Sequence, residues 1–213
     1  MKKIMFNDRY GLTKAVLDGR KTMTRRIIKT PRTMEGKDVY GFSVVKYPRT
    51  GVPIEVMALD ADGAQINNIL PKYKVGEVVA VAQAYHTLNK EGFIAPEWCE
   101  HTCEDSPGYS NKMFVRADLM PYQIRITDVR VERLQDISDE ECLKEGISKS
   151  SAPGQYYVDG LQRPMHNDGV LRSFTSPRDA FAALIDKISG EGTWVSNPYV
   201  FVYEFELVKE DAE

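Results

Sequence analysis

The chain has 213 residues, of which 42% are hydrophobic and 28% charged, and its formal net charge is −3. These values are typical of a globular protein with a sizeable core, and they exclude a surface that attracts nucleic acid over its whole extent. No apolar run approaches the ~20 residues of a membrane span, and Met1–Asp8 turns polar too early for a signal peptide. The three cysteines, an odd number, favour reduced thiols and a cytoplasmic protein.

The N-terminal part of the chain predicts one short helix followed by a strand. Residues 8–18 have the apolar spacing of a helix that Asn7 or Asp8 can cap, and Gly19 occupies the position of a left-handed C-terminal cap. The next segment, Gly19–Arg26, reads GRKTMTRR and runs into two isoleucines, which we expect to start or close the first strand.

A hairpin insertion is predicted at about residues 31–70. Short β-like runs occur at Tyr40–Lys46 and Ile54–Leu59, and Asp60–Gly63 has the composition of a hairpin turn. The nearly continuous apolar run Val78–Tyr85 predicts a buried strand. The polar residues 86–110 that follow predict an irregular loop, the second insertion.

Two stretches with β character come next. Asn111–Ala117 predicts a strand, and Tyr122–Leu134 has the strongest strand pattern of the chain. Within this second stretch the apolar phase slips by one residue around Thr127-Asp128, which predicts a bulge or a tight turn.

The C-terminal part predicts two capped helices and a closing strand. Ser138–Glu141 is a capping box for a short helix that ends at Gly146, and residues 148–175 predict a long loop, the third insertion. Ser176-Pro177 opens a second helix, and Tyr199–Val208 is an apolar, β-rich run.

Together these elements predict a mainly β fold of the α+β class, because strand–helix–strand repetition is missing from the pattern. Closing the strands into a small β-barrel, with the short helices at its ends, would remove the exposed edges of the sheet. We therefore expect a single domain, residues 1–213, that carries the three insertions.

The basic octapeptide Gly19–Arg26 is the first candidate for a functional site. It places four cations and the hydroxyls of Thr22 and Thr24 within eight residues. So many donors are costly to bury, and the segment therefore predicts either a site for an anionic or polar ligand or a solvated basic turn.

This octapeptide also carries a family resemblance. The helix followed by Gly19-x-Lys21-x-x-Thr24-x-Arg26 resembles the signature of the ASCH domain, a member of the PUA-like β-barrel superfamily. Further blocks follow in the order of that family: Val75–Val79 as its Gly-Glu turn and hydrophobic strand, Ile124–Leu134 with Ser138–Gly146 as its strand and helix, and Phe201–Phe205 as its closing strand. The resemblance implies a PUA-like β-barrel fold.

The resemblance is closest to the longer ASCH-type proteins of phages, prophages and gut bacteria. The shared segments are DGRKTxTRR at 18–26, NKMF at 111–114, VRVERLQDIS at 129–138 and an Asn-Pro-aromatic run at 197–199. The chain departs from the family at two places. Many ASCH domains have an acidic residue at the position of Thr24, and the longer relatives often have Val-Arg-Glu-x-Trp where Val81–Tyr85 reads VAQAY.

The resemblance also implies a reaction. Small bacterial ASCH proteins that hydrolyse N(4)-acetylcytidine use a Lys, a Thr and a Glu, and their Gly-Arg-Lys-Thr-x-Thr motif matches residues 19–24 position for position. It therefore implies Lys21 and Thr24 as catalytic residues, with Glu145 as the carboxylate and Glu141 as the second choice.

General chemistry sets two conditions on that reaction. A threonine hydroxyl needs a base, and a lysine serves as one only if burial or neighbouring cations such as Arg25 and Arg26 lower its pKa. Because residues 21 and 24 of a regular strand would face opposite sides, Lys21 must also lie in a turn or bulge before the strand.

A second interpretation is a non-catalytic module, of the kind found in phages, that binds RNA or another nucleic acid. In that case Arg20, Lys21, Arg25 and Arg26 would contact phosphates, and Tyr85, Tyr122 or Trp194 would stack on a base. Under both interpretations the partner is RNA or a modified nucleoside or nucleotide, Gly19 shapes the turn, and we expect no cofactor.

The remaining cluster is Cys99-x-His101-x-Cys103. Zinc sites usually take four ligands with about two to four residues inside each pair, whereas here a single residue separates the ligands. The other thiol, Cys142, lies far along the chain. We interpret the cluster as part of a polar loop with free thiols and expect no metal.

Overall fold

The computed structural model describes residues 1–46, 53–92, 105–161 and 173–208. The strands are β1 (Lys3–Ile4), β2 (Met23–Ile27), β3 (Thr33–Met34), β4 (Lys37–Asp38), β5 (Gly41–Lys46), β6 (Pro53–Leu59), β7 (Gln65–Asn68), β8 (Val78–Val81), β9 (Gln123–Arg133), β10 (Ser148–Lys149), β11 (Tyr156–Tyr157) and β12 (Tyr199–Val208). The helices are α1 (Leu12–Leu17), α2 (Tyr85–Lys90), α3 (Asp139–Lys144), α4 (Pro177–Ser189) and α5 (Thr193–Ser196). Strands predominate, which confirms the mainly β, α+β class.

A mixed five-stranded sheet forms the centre of the described structure. Its order is β1-β8-β9-β12-β2, and every neighbouring pair is antiparallel except β1 with β8. The longest strands, β9 and β12, lie side by side at its middle and carry much of the apolar core. The alternation of Ile124 and Ile126 with charged neighbours explains why β9 buries one face.

The predicted phase slip in β9 is a β-bulge. Glu204 pairs with Asp128 and Phe205 with Ile126, so Thr127 is left without a partner in the ladder to β12. The extra residue returns the apolar face of the strand to the core side, where Val131 is buried.

The predicted closed barrel is not present in the described residues. The ladder ends at β1 on one side and at β2 on the other, which leaves an open sheet with two edges. A side chain joins these edges: Arg26 on β2 donates an Nη2 hydrogen bond of 2.7 Å to the carbonyl of Met5, directly after β1. Because β1 contains only two residues, its backbone groups do not extend along β2.

The first and third insertions form small sheets of their own. Strands β5, β6 and β7 make a three-stranded antiparallel sheet, and Asp60 stabilises its predicted turn by accepting from the backbone N–H groups of Asp62 and Ala64. Strands β10 and β11 form a hairpin within the predicted loop 148–175. In the second insertion, residues 86–92 complete α2 and a turn.

Three predicted elements differ from those observed. Asn111–Ala117 is not a strand, because the carboxamide of Asn111 accepts from the backbone N–H of Met113 and holds the segment in a turn. The strand predicted at Val78–Tyr85 ends at Val81, and Tyr85 begins α2. The helix predicted at 8–18 is divided by Gly11, whose φ of +63° ends a 3₁₀ turn before α1 begins.

The helix caps predicted at Ser138 and Ser176 are confirmed. Ser138 and Glu141 form a reciprocal capping box at the start of α3, and the Ser176 side chain accepts from Asp179 N–H at the start of α4. Among the described residues, we find no helix with the length and apolar character needed to cross a membrane.

Gly160 provides a test of how the third insertion packs on the N-terminal segment. Its φ is +67°, and a Cβ at this position would lie 1.9 Å from the carbonyl oxygen of Arg9. We expect Gly160→Ala to lower the free energy of unfolding by about 2 kcal/mol or more, because backbone strain and a steric clash add. The measurement is urea denaturation.

Gly63→Ala is the matched control. Gly63 also has a positive φ, +79°, but a Cβ there would meet nothing within 4 Å. It should show only the cost of the left-handed conformation, about 1–2 kcal/mol. Equal losses in the two variants would contradict the close approach of Gly160 to Arg9.

Candidate functional site at the open edge of the sheet

Helix α1 and the turn after it place Lys21 directly before the start of β2. Gly19 has a φ of +72°, and the backbone N–H groups of Arg20 and Lys21 both donate to the carbonyl of Ala15, at 2.9 and 2.8 Å. Lys21 therefore lies in the turn before the strand, as the proposed chemistry requires. The next N–H, that of Thr22, donates to the carbonyl of Lys144 at 2.9 Å and fixes this turn against the end of α3.

Lys21 and Glu145 form a buried ion pair. The two residues are 3% and 4% exposed, and the Nζ of Lys21 lies 2.7 Å from Oε2 of Glu145. The same Nζ also donates to the carbonyls of Glu145 and Met23, at 2.7 and 2.8 Å, so each of its three N–H groups has an acceptor. Of the two carboxylates that the resemblance implies, the first choice, Glu145, is the one that contacts Lys21.

Burial lowers the pKa of the Lys21 ammonium. Glu145 opposes this shift, whereas the charges of Arg26 and Arg25 add to it. The direction is the one that general-base chemistry needs.

Gly146 allows the close approach of α3 to the lysine. A Cβ at this residue would lie 3.2 Å from Cδ2 of Leu12 and 3.5 Å from Cδ of Lys21, and the φ of Gly146 is +101°. The glycine therefore serves two purposes, since it ends the helix and leaves space for the lysine side chain.

Arg25 is not the free cation that the sequence predicted. Its side chain is fully buried, and it donates to Glu145 at 3.3 Å, to Glu132 at 3.1 Å and to Glu141 at 2.9 Å. Three carboxylates therefore neutralise this guanidinium, although Arg25 also lines the cavity described below. Its Nε is buried without a hydrogen-bond partner among the described residues.

A second arginine extends the ion-pair network. Arg130 contacts Glu132 and Glu141, both at 2.5 Å, and its Nη1 also contacts Asp128 and Glu204. Burial raises the pKa of Glu141, but the Ser138 N–H and the charges of Arg25 and Arg130 outweigh it and leave that pKa below its usual value. Glu141 is thus committed to the network and to its helix cap.

A cavity of about 660 Å³ opens between the two edges of the central sheet, and Lys21, Thr24 and Glu145 all line it. Thr24 is 5% exposed, and its hydroxyl has no hydrogen bond to any other described residue. The structure therefore brings together the three residues that the family resemblance implies.

The remaining walls of the cavity divide into cationic and apolar parts. The cationic part contains Arg26, Lys29 and Lys112, and the apolar part contains Phe6 together with Leu184 and Ile185 of α4. Lys112 is held by Asp8 at 2.8 Å, whereas Arg26 and Lys29 are exposed and have no carboxylate partner in the described ranges. These two cations are available to an anionic ligand at the cavity rim.

Several predicted binding residues lie away from this cavity. Arg20 is exposed and contacts Asp18 and Ser148, and Gly19 shapes the turn without lining the cavity. Tyr85 is 2% exposed within a second apolar cluster, where its hydroxyl accepts from Arg116 N–H, and Tyr122 lines a different cleft. Trp194 packs edge-on against Phe181, 6.1 Å between ring centroids, and does not line the cavity. Stacking by these three aromatics is therefore not supported at this site.

Sequence reasoning missed the apolar wall and two of the rim cations. The sequence pattern places Phe6 in no predicted element and does not indicate that α4 contributes Leu184 and Ile185 to a cavity. The NKMF block contained a usable signal, since its Lys112 reaches the cavity and donates to Asp8 and to the carbonyl of Phe6.

The predicted thiol loop cannot be placed. Cys99, His101 and Cys103 lie outside the described residues. Within the described ranges, three or more His, Cys, Asp or Glu side chains do not gather at any point in a way that could hold a metal ion. Cys142 is a free thiol, and burial raises its pKa to about 12.

Comparisons of this chain with protein-family models, with curated proteins and with solved structures found no match.

The ion pair can be tested with a double-mutant cycle. We expect Glu145→Gln to lower the free energy of unfolding by about 3–5 kcal/mol, because it leaves the buried Lys21 ammonium without a counter-charge. Lys21→Met should cost less, since Glu145 keeps Arg25 as a partner. The measurement is urea denaturation of both single variants and the double variant.

The double variant Lys21→Met/Glu145→Gln should lose less stability than the sum of the single losses, because it removes both charges together. Strictly additive losses would show that Lys21 and Glu145 do not interact in the folded protein.

Proposed function

We propose that the chain is an ASCH-type protein of the PUA-like superfamily, whose cavity binds a modified nucleoside or nucleotide, free or within RNA. The motif order supports the family, and the central sheet supports a barrel-like arrangement in which the Arg26 side chain takes the place of ladder hydrogen bonds between β1 and β2. The free, buried Cys142 agrees with the cytoplasmic location proposed from the cysteine count.

One observation carries the binding proposal: the cavity combines an apolar wall with two unneutralised cations at its rim. A base could lie against Phe6, Leu184 and Ile185, while a phosphate lies near Arg26 and Lys29. Thr24 and the Lys21–Glu145 pair would then face the polar edge of the base. A positive rim around a partly apolar pocket is the arrangement that nucleotide sites commonly use.

Removing the rim cations tests this proposal. We expect Arg26→Ala to weaken the binding of cytidine monophosphate about tenfold and to flatten its salt dependence, because a charge-assisted contact to phosphate is lost. Lys29→Ala should act in the same direction. Isothermal titration at two salt concentrations measures both effects.

Arg20→Ala is the matched control, since Arg20 belongs to the same octapeptide but does not line the cavity. Its nucleotide affinity should remain that of the unmodified protein. Equal weakening by Arg20→Ala and Arg26→Ala would mean that the nucleotide responds only to overall charge.

A second candidate function is hydrolysis of the amide of N(4)-acetylcytidine. The observation that favours it is the presence of Thr24, with an unbonded hydroxyl, in the same cavity as a lysine whose pKa is lowered. The pair at 2.7 Å could exchange a proton, which would leave a neutral amine on Lys21 and an acid on Glu145.

The reaction would use the three side chains and one water. The Thr24 oxygen attacks the acetyl carbonyl as its proton passes to the Lys21 amine, and the C–N bond breaks as Glu145 protonates the departing cytosine N4. Water then attacks the acetyl-threonine ester and gives one proton to the Glu145 carboxylate. The ester bond breaks as the Lys21 ammonium protonates the Thr24 oxygen, and acetic acid leaves with both side chains back in their starting states. In the free protein the Nζ of Lys21 donates to three acceptors, so one of these hydrogen bonds must break when substrate binds.

Thr24→Ala separates the two candidate functions. If Thr24 is the nucleophile, this variant should lose cytidine release from N(4)-acetylcytidine by at least about a hundredfold while retaining affinity, and Thr24→Ser should keep part of the activity. Liquid chromatography of cytidine and acetate measures turnover. Unchanged turnover in Thr24→Ala would remove Thr24 as the nucleophile, and no turnover in the unmodified protein would leave binding as its function.

A further inference from the structure

A smaller cavity, called the second cavity below, adjoins the candidate site at the gap between β1 and β2. Its volume is about 320 Å³, and it shares four lining residues with the larger cavity, namely Met5, Arg26, Ile27 and Lys29. The hydrogen bond of 2.7 Å from Nη2 of Arg26 to the carbonyl of Met5 therefore lies at the boundary between the two cavities.

The first insertion builds one wall of the second cavity. Ile69 and Leu70 follow β7 directly, and the N–H of Ile69 donates to the carbonyl of Val56 on β6 at 2.6 Å. Leu70 is 72% exposed. The insertion thus adds an apolar wall beside the central sheet, with an exposed leucine at its end.

The buried part of the second cavity is aromatic. Tyr73, Phe201 and Tyr203 are at most 8% exposed, and the ring centroids of the two tyrosines lie 5.3 Å apart. The Tyr73 hydroxyl donates to the carbonyl of Lys3 at 2.9 Å, and the Tyr203 hydroxyl accepts from the N–H of Lys72 at 3.0 Å. Because both hydroxyls have partners, this part of the wall is fixed before any ligand binds.

The charged residues that line the second cavity, within the described ranges, are all cations. Arg26 and Lys29 lie at the boundary with the candidate site, whereas Lys72 belongs to the second cavity alone. All three are exposed, and none has a carboxylate within ion-pair distance in the part of the chain that the structure describes. With three cations and no acidic residue in this lining, the second cavity attracts anions.

A phosphate at Arg26 and Lys29 would border both cavities. The proposed nucleotide has its base in the larger cavity and its phosphate at this boundary, so a group bonded to the other side of that phosphate would enter the second cavity. The volume of the second cavity is at the lower end of the range of about 300–1,000 Å³ for small-molecule sites, which suits one nucleoside.

We propose that the second cavity binds the neighbouring nucleoside of a nucleic-acid strand, so that the ligand spans at least two nucleotides. In this arrangement the linking phosphate lies at Arg26 and Lys29. The second nucleoside packs against Ile69 and Leu70, and the next phosphate lies at Lys72. The proposal rests on the nucleotide site, and it assigns a role to the first insertion.

Isothermal titration tests the proposal with three ligands: cytidine monophosphate, cytidine diphosphate and the 5′-phosphorylated dinucleotide of cytidine (pCpC). We expect pCpC to bind about tenfold more tightly than the monophosphate, because it adds a nucleoside contact and a phosphate contact. Cytidine diphosphate adds charge without a second nucleoside, and it should gain less than pCpC.

The same titrations separate this proposal from the nucleotide site on which it rests. If the monophosphate binds and pCpC binds no more tightly than the diphosphate, the second cavity is not a nucleoside site, and the nucleotide site stands. If none of the three ligands binds, the nucleotide site is wrong and the second nucleoside falls with it.

Two variants locate the second nucleotide. Lys72→Ala should reduce the slope of log affinity against log salt for pCpC by about 0.7, because one phosphate contact is lost. Leu70→Ser should remove most of the preference for pCpC over cytidine monophosphate, since the apolar wall is lost. Both side chains are exposed, so neither substitution creates a cavity in the core.

Lys74→Ala is the matched control, since Lys74 is an exposed cation close to Lys72 in the chain that lines neither cavity. Its affinity for pCpC and its salt dependence should be those of the unmodified protein. Equal effects of Lys72→Ala and Lys74→Ala would show a response to overall charge only and would overturn the placement of a phosphate at Lys72.

Discussion

The buried ion pair between Lys21 and Glu145 determines how the start of β2 meets the end of α3. Removing each charge from water costs several kcal/mol, and this cost is offset only where good geometry and further hydrogen bonds are present. Both conditions are met here, because Nζ has three acceptors and Arg25 contacts the second oxygen of Glu145. An apolar pair could hold the same corner without that cost.

Arg25 and Arg26 have different surroundings because neighbouring residues of a strand face opposite sides. Arg25 on β2 and Arg130 on β9 both lie opposite Val202 of β12, one on each side of that strand. Carboxylates surround the guanidinium of Arg25. Arg26 faces the other side of β2, where it bridges to Met5 and borders the cavity. The octapeptide thus contains both members of the buried ion-pair network and an exposed cation at the cavity rim.

Local sequence signals account for most of the fold. Caps at Ser138 and Ser176, the β12 run and the slip at Thr127 are local features, and the structure contains each of them. Tertiary contacts decided the rest. Within the described residues the sheet stays open because β1 is too short to extend along β2, and composition does not encode that length.

In the candidate site, too, some residues can be inferred from the sequence and others depend on tertiary contacts. Lys21 and Thr24 follow from the motif, and Glu145 follows from the alignment of the helix after β9 with the family. That Arg25 and Arg26 face opposite sides of β2 was open to inference from strand alternation alone, since neighbouring residues of a strand alternate between its two faces. The burial of Tyr85 and the apolar wall from α4 were not, because both depend on how distant segments pack.

The bulge at Thr127 separates two functions within a single strand. Ile124 and Ile126 face the core, and an unbroken alternation would have placed Arg130 on that same apolar side. One additional residue instead directs Arg130 toward Glu132, Glu141 and Glu204. The number of residues in β9 therefore matters more at this point than the identity of the exposed Thr127. Other side chains could occupy the bulge, whereas deletion of Thr127 would turn the guanidinium of Arg130 into the core.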